Sequence, residues 1–146
     1  MIYLGSDHGG FELKEHIKQF LKNLEYEFKD LGNLKYDKGD DYPEYAFKVA
    51  EKASETPKNR GVLFCRSAAG MVIAANKVKG ARAVTVFDEK SAVHSRQHND
   101  ANIIALLGDW MDNKKAEKIL KAWLETEFSK EKRHVKRLKR ISEYEK

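Results

Sequence analysis

Cysteine is almost absent from this chain: Cys65 stands alone among 146 residues, so no internal disulfide can close. No apolar run approaches the roughly 20 residues that a membrane-spanning helix needs, which excludes that class. The N-terminal MIYLGSDHGG has no basic region, long apolar stretch or cleavage site of a secretory leader, so a cytoplasmic, non-membrane protein is expected. Only two prolines occur, Pro43 and Pro57, and there is no internal repeat, low-complexity tract or linker. A chain of this length reads as one domain over 1–146, able to bury a core without a metal or a disulfide. Metal-ligand spacings are missing as well: no C-x-x-C, no H-E-x-x-H, and five histidines scattered along the chain. No metal or other cofactor is expected.

An excess of one charge is also missing from most of the molecule. Residues 129–146, SKEKRHVKRLKRISEYEK, hold eight Lys/Arg against three Asp/Glu, which accounts for the whole net charge of +5; residues 1–128 carry 20 of each sign. A basic tail on a neutral body is a solvated helix, a nucleic-acid arm or a small anion site, and the nucleic-acid reading ranks last because the body offers no extended basic surface. In the tail, Arg133, Arg137 and Arg140 share one helix face at spacings of four and three. Paired guanidinium groups on such a row suit phosphate oxygens, whereas a solvated charged face is the commoner outcome.

What is present is an alternation of element types. MIYLGS, YEFKDLG, GVLFC, ARAVTVF and NIIALLG read as strands. Between them, Leu13, Ile17, Phe20, Leu21 and Leu24 form a helical stripe, as do Ala46, Val49, Ala50 and Ala53, and Ala116, Ile119, Leu120, Trp123 and Leu124. GMVIAANKV is apolar on most sides, as a central buried helix would be; DEKSAVHSRQH reads as a helix capped by Asp88, and the tail as a last helix. Continuously apolar strands separated by helices predict an α/β domain, a three-layer sandwich with a five-stranded parallel sheet, helices on both faces and a C-terminal helix.

Ligands of open parallel sheets bind beyond the carboxyl ends of the strands, which selects Ser6–Gly10, Cys65–Gly70, Asp88 and Gly108–Trp110. In GSDHGGFELK, Asp7 and His8 lie in a glycine-lined strand-to-helix turn, either as a helix cap or as ligand groups; no G-x-G-x-x-G spacing is present. CRSAAGM lacks the P-loop ending, yet its small residues leave backbone N–H groups free for an oxyanion. Two readings of Cys65 are open: inert core filler, or a thiolate whose pKa is lowered at a helix N-terminus. If 89–98 is a helix, His98 lies on the order of 15 Å from Cys65, at the other edge of the sheet. It is then a surface histidine or a contribution to a partner's site across a symmetric interface, with Asn99.

Together these segments resemble the family of ribose-5-phosphate isomerase type B and galactose-6-phosphate isomerase, aldose-ketose isomerases with a Rossmann-like fold. GSDHGGFELK, DYPEYA, C-x-x-x-x-G-M-x-I-A-A-N-K-V-x-G-x-R-A, SRQHNDAN, LLG and RHVKRLKRI stand in the family's order and spacing across the whole chain. The resemblance implies Cys65 as the base moving a proton between carbons 1 and 2 of an open-chain sugar, with Ser67 as the loop hydroxyl. It implies an anion hole from the backbone of Ser67, Ala68, Ala69 and Gly70, and His98, from the neighbouring subunit, opening the furanose ring. Asp7 and Tyr42 would meet the sugar, Asn99 the enediolate, and His8, Arg133 and Arg137 the phosphate. It further implies a metal-free homodimer or homotetramer with shared sites, interconverting ribose 5-phosphate and ribulose 5-phosphate. Another aldose phosphate, of four or six carbons, and a non-catalytic sugar-phosphate-binding homologue are the alternatives.

Two departures from the family pattern bear on that expectation. Where the family loop runs Cys-Gly-Thr-Gly-x-Gly-Met, this chain has Arg66 and Ala68 in place of glycines, which strains any position that requires φ above zero. Where many members carry a phosphate-binding arginine, it has Asp109. Both follow strands at the ligand edge, so the two changes are expected to be coupled, with Arg66 neutralising Asp109 or replacing the missing cation.

Overall fold

The computed structural model describes residues 1–145. Five parallel strands run β1 (Ile2–Ser6), β2 (Phe28–Asp30), β3 (Arg60–Cys65), β4 (Ala83–Thr85) and β5 (Ile103–Leu107), in the spatial order β2-β1-β3-β5-β4. The helices are α1 (Phe11–Asn23), α2 (Tyr42–Ser54), α3 (Ala69–Ala75), α4 (Glu89–Asn99), α5 (Asn113–Leu124) and α6 (Lys132–Tyr144). A 3-10 turn, His8–Gly10, sits between β1 and α1. Right-handed crossovers place α2 and α3 together on one face, while α1 and α4 pack against α5 on the other. This is the three-layer α/β architecture expected, with the basic helix α6 packed on α4.

Burial explains why these segments hold. Leu13, Ile17 and Leu21 of α1, Ala46, Val49, Ala50 and Ala53 of α2, and Ala116, Ile119, Leu120 and Trp123 of α5 all face the sheet and are buried. Strands β1, β3 and β5 are apolar on both sides because helices cover both; Val62, Leu63 and Phe64 have no exposed surface. Asp88 accepts from the Ser91 backbone N–H at 2.7 Å, and Ser91 Oγ accepts from the Asp88 N–H at 3.2 Å, a capping box that starts α4 as expected.

Helix α3 departs from its expected form. It ends at Ala75 rather than running on to Val78, and Ile73 faces outward at 63 % exposure. Asn76 causes the stop: its side-chain amide donates to the Ala83 carbonyl at 2.9 Å and accepts the Ala83 N–H at 2.8 Å, serving as a short mimic of a strand neighbour to β4. The backbone satisfaction of an edge strand thus outweighs another turn of helix. In α6, Val135 and Ile141 are about half exposed, so the apolar side of that helix is only partly covered within one chain. No described helix is long and apolar enough to cross a membrane.

Candidate active site

The chain order reverses between β1 and β3: β2 lies to one side of β1, and the chain then crosses to β3 on the other. Such a switch point opens a crevice at the carboxyl ends of the two strands. Ser6 is in register with Phe64, so the next residues, Asp7 and Cys65, emerge side by side. Cys65 Sγ approaches Asp7 Oδ2 at 3.8 Å, and both residues are at least nine-tenths buried.

Glycines bring the loops this close. A Cβ on Gly10 would lie 2.2 Å from the Phe64 carbonyl carbon, and one on Gly108 would lie 2.2 Å from the Gly9 carbonyl oxygen. The turns after β1, β3 and β5 therefore pack backbone against backbone, fixed further by the Gly108 N–H donating to the Cys65 carbonyl at 2.7 Å. Asp7 also caps its own turn, accepting from the Gly9 N–H at 3.0 Å. Of the two readings of Asp7 left open by the sequence, the cap is the one seen here.

Cys65 corrects one expectation. Its thiol is pushed above the ordinary value, first by burial and then by the Asp7 carboxylate, rather than lowered by the helix end. The N–H groups of Ala68, Arg66 and Ser67 hydrogen-bond toward the sulfur and pull the other way, without prevailing. Ala68 makes this wrap possible with φ of 66°, the left-handed region where glycine is at ease. The alanine methyl costs about 1–2 kcal/mol there, so the glycine-to-alanine departure falls on a position that requires positive φ. Arg66 is not among the residues of positive φ. Of the four residues expected to form the anion hole, Ala69 and Gly70 make the first turn of α3, and Ser67 and Ala68 lie in the turn before it. Asp7 is itself raised, chiefly by burial.

Around this pair stand the other groups of the same edge. Tyr42, at the start of α2, lies so close over Gly70 that a Cβ there would sit 2.5 Å from its ring. His8 is held by Asp40, which accepts from the His8 backbone N–H at 3.1 Å and contacts Nδ1 at 2.7 Å, leaving Nε2 as the outward ring atom. Asn33 donates its side-chain amide to the other Asp40 oxygen at 3.2 Å. Burial would raise Asp40, but the hydrogen bonds from His8 and Asn33 prevail and hold its carboxyl below the usual range. Behind Asn33, the fully buried Lys14 ammonium donates to its carbonyl and to Asp30. The sequence reading did not single out Asp40, Asn33 or Lys14: they come from α1 and a loop without periodicity, and only long-range hydrogen bonds join them to His8.

Arg66 and Asp109 meet at the rim, Nε to Oδ2 at 2.9 Å, as their coupling required. The pair is 65 % and 46 % exposed, so it is worth no more than about 1 kcal/mol to folding and serves to set rim charge.

His98, Asn99, Arg133 and Arg137 lie elsewhere. Helix α4 starts beyond the carboxyl end of β4 and runs back to end at Asn99, shortly before β5 begins. His98 packs against His134 of α6 at 4.3 Å, next to Arg133. Arg133 and Arg137, with Lys136 and Arg140, line a shallow pocket of about 220 Å³. Asn99 borders a groove of about 490 Å³ with Leu138 and Ile141. One chain therefore carries two separated halves: Asp7, His8, Tyr42 and Cys65–Gly70 at one edge, and His98, Asn99, Arg133 and Arg137 at the other.

Comparison with known proteins agrees with this fold over nearly the whole chain. A family model described as Ribose/Galactose Isomerase matches residues 2–141. Ribose-5-phosphate isomerase B of Mycobacterium tuberculosis is 38 % identical over 144 residues, covering 99 % of this chain and 89 % of the relative. Among solved structures, ribose-5-phosphate isomerase B of Mycoplasma genitalium with bound ribulose-5-phosphate superimposes with a TM-score of 0.94 at 38 % identity, over 99 % of this chain and 95 % of that one. The Clostridium thermocellum ribose-5-phosphate isomerase B gives a TM-score of 0.90 at 42 % identity, over 97 % and 95 %. With its fold and residues 2–141 matched, the chain belongs to the Ribose/Galactose Isomerase family of sugar-phosphate isomerases.

Proposed function

We propose that the protein interconverts ribose 5-phosphate and ribulose 5-phosphate through a cis-enediolate, as a homodimer or homotetramer whose sites combine the two halves described above. The observation that carries this reading is the buried Cys65–Asp7 pair at the switch point. Ribulose-5-phosphate in the Mycoplasma genitalium relative supports the five-carbon substrate. The two separated halves support a shared site, because phosphate and ring-opening groups otherwise stand far from the sulfur.

In this mechanism a neutral His98 from the partner accepts the anomeric hydroxyl proton. The O–H electron pair becomes part of the C1 carbonyl, the C1–O4 pair moves to O4, and O4 takes a proton back. The Cys65 thiolate then removes the proton from C2 of the open aldose and returns it to C1, while a proton passes between the two oxygens. A raised thiol pKa makes a stronger base present in smaller amount, and the three N–H groups around the sulfur favour the thiolate once it forms. Asn99 and the α3 N-terminal turn meet the enediolate charge. Ser67 offers its hydroxyl for proton transfer between the oxygens, Asp7 and Tyr42 hold sugar hydroxyls, and His8, Arg133 and Arg137 anchor the phosphate away from the reacting carbons.

A panel of four-, five- and six-carbon aldose phosphates assayed for ketose formation tests the reading. The highest kcat/KM is expected for ribose 5-phosphate, with Cys65→Ala at least about 1,000-fold slower. A preference for a four- or six-carbon substrate moves the assignment within the family; binding without turnover of any of them replaces it with a sugar-phosphate-binding role.

A further inference from the structure

Three histidine rings gather where α4 meets α6. His94 and His98, one turn apart on α4, stack with centroids 4.0 Å apart and 19° between their planes. His134 packs on His98 at 4.3 Å and 38°. The His134 ring is itself fixed: the residue is 2 % exposed, and its Nδ1 lies 2.9 Å from Ser129 Oγ. His94 stays on the surface.

The charged groups around His98 are of mostly one sign. From its own helix comes His94, and from α6 come His134 and Arg133. The acid on this side is Glu131, just before α6, and its carboxylate is already taken by Arg133, Nε to Oε2 at 3.0 Å. Among the described residues of its own chain, a proton added to His98 would sit between two further imidazoles and a guanidinium, and the one acid acting on it, Glu131, is already paired with Arg133. Aromatic stacking favours the same rings while they are uncharged.

We infer that His94 and His134 are positioning residues, which fix the ring plane of His98 and keep it in the neutral form that ring opening needs. The inference rests on the ring-opening role given to His98 above and adds to it the residues that prepare that side chain. Consistently, His98 lies below the ordinary imidazole value, through burial first and then through His94, His134 and Arg133, against a smaller opposing pull from Glu131. The gain is catalytic range: a base that stays unprotonated as the pH falls below neutrality continues to accept the anomeric proton.

The test uses the full-length protein and the exposed member of the group, so that folding is not at stake. The ring protons of His98 are titrated by NMR in the parent, in His94→Gln and in His94→Lys. The midpoint is expected to move to higher pH in His94→Gln, where a stacked, chargeable neighbour is removed, and to lower pH in His94→Lys, where the neighbour is always charged. In parallel, kcat/KM for ribose 5-phosphate at pH 6 should fall about threefold in His94→Gln, with the loss shrinking as pH rises. A four-carbon aldose phosphate, which cannot close a furanose ring, should feel the substitution less. An unchanged midpoint in both variants, or movement of both in one direction, overturns the inference. Full activity of His98→Asn on ribose 5-phosphate overturns the ring-opening role itself, whatever the titrations give.

Discussion

At the scale of single residues, two carboxylates do opposite work. Asp7 lies beside Cys65 and opposes its ionisation, whereas Asp40 lies behind His8 and holds its ring. Replacing Asp7 with Asn removes the second upward influence on the thiol. The sign follows directly: the thiol ionises at lower pH, so alkylation of Cys65 by iodoacetamide should reach its half-maximal rate at lower pH in Asp7→Asn than in the parent, even where turnover is lost. The same midpoint in both would detach Asp7 from the sulfur. For Asp40→Asn, the loss is one charged hydrogen-bond partner behind His8, the proposed phosphate ligand, worth about 1.5–3 kcal/mol. KM for the sugar phosphate should rise about tenfold or more while kcat changes less than about twofold, read from steady-state kinetics. A fall in kcat alone would place His8 at the reacting carbons instead. Neither effect was readable from GSDHGG or DYPEYA, because burial of the thiol and the approach of residue 40 to residue 8 are products of tertiary structure.

At the scale of elements, the meeting of α2 and α3 makes the most specific demand. Gly70 opens the first turn of α3 against the Tyr42 ring, and the clash of an added Cβ falls on ring atoms that can swing outward. Gly70→Ala should therefore keep the fold, with thermal stability unchanged or slightly raised by better helix propensity, up to about 1 kcal/mol. Displacing Tyr42 should still lower kcat/KM about tenfold, a split that melting curves and kinetics together detect. Helices α1, α2 and α5 were legible because a stripe such as Ala46, Val49, Ala50 and Ala53 has one buried face and nothing to contradict it. The end of α3 was not, since Asn76 stops it by pairing with Ala83, seven residues on. Strands β2 and β4 shrink to three residues each, as edge strands with one neighbour do, although the seven-residue stretches YEFKDLG and ARAVTVF suggested more.

At the scale of the whole molecule, the sheet decides what a single chain can accomplish. A helix that returns antiparallel to its strand must deliver its last residues to the opposite edge, which separates His98 and Asn99 from Cys65. That separation was readable in the sequence because α4 has a clear cap in Asp88 and a length set by the distance it spans. The exposed apolar side chains of α6, Val135 and Ile141, with the groove beside Asn99, are the surface the proposed second copy would cover. Cys65→Ala and His98→Asn chains, each expected to be inactive alone, offer the most direct measurement: mixed, unfolded together and refolded in equal amounts, they should regain roughly a quarter of wild-type turnover. Half of the dimers would be mixed, and each of those would contain one intact site in two. A mixture as inactive as its parents, or homogeneous Cys65→Ala enzyme at full rate, would contradict the account.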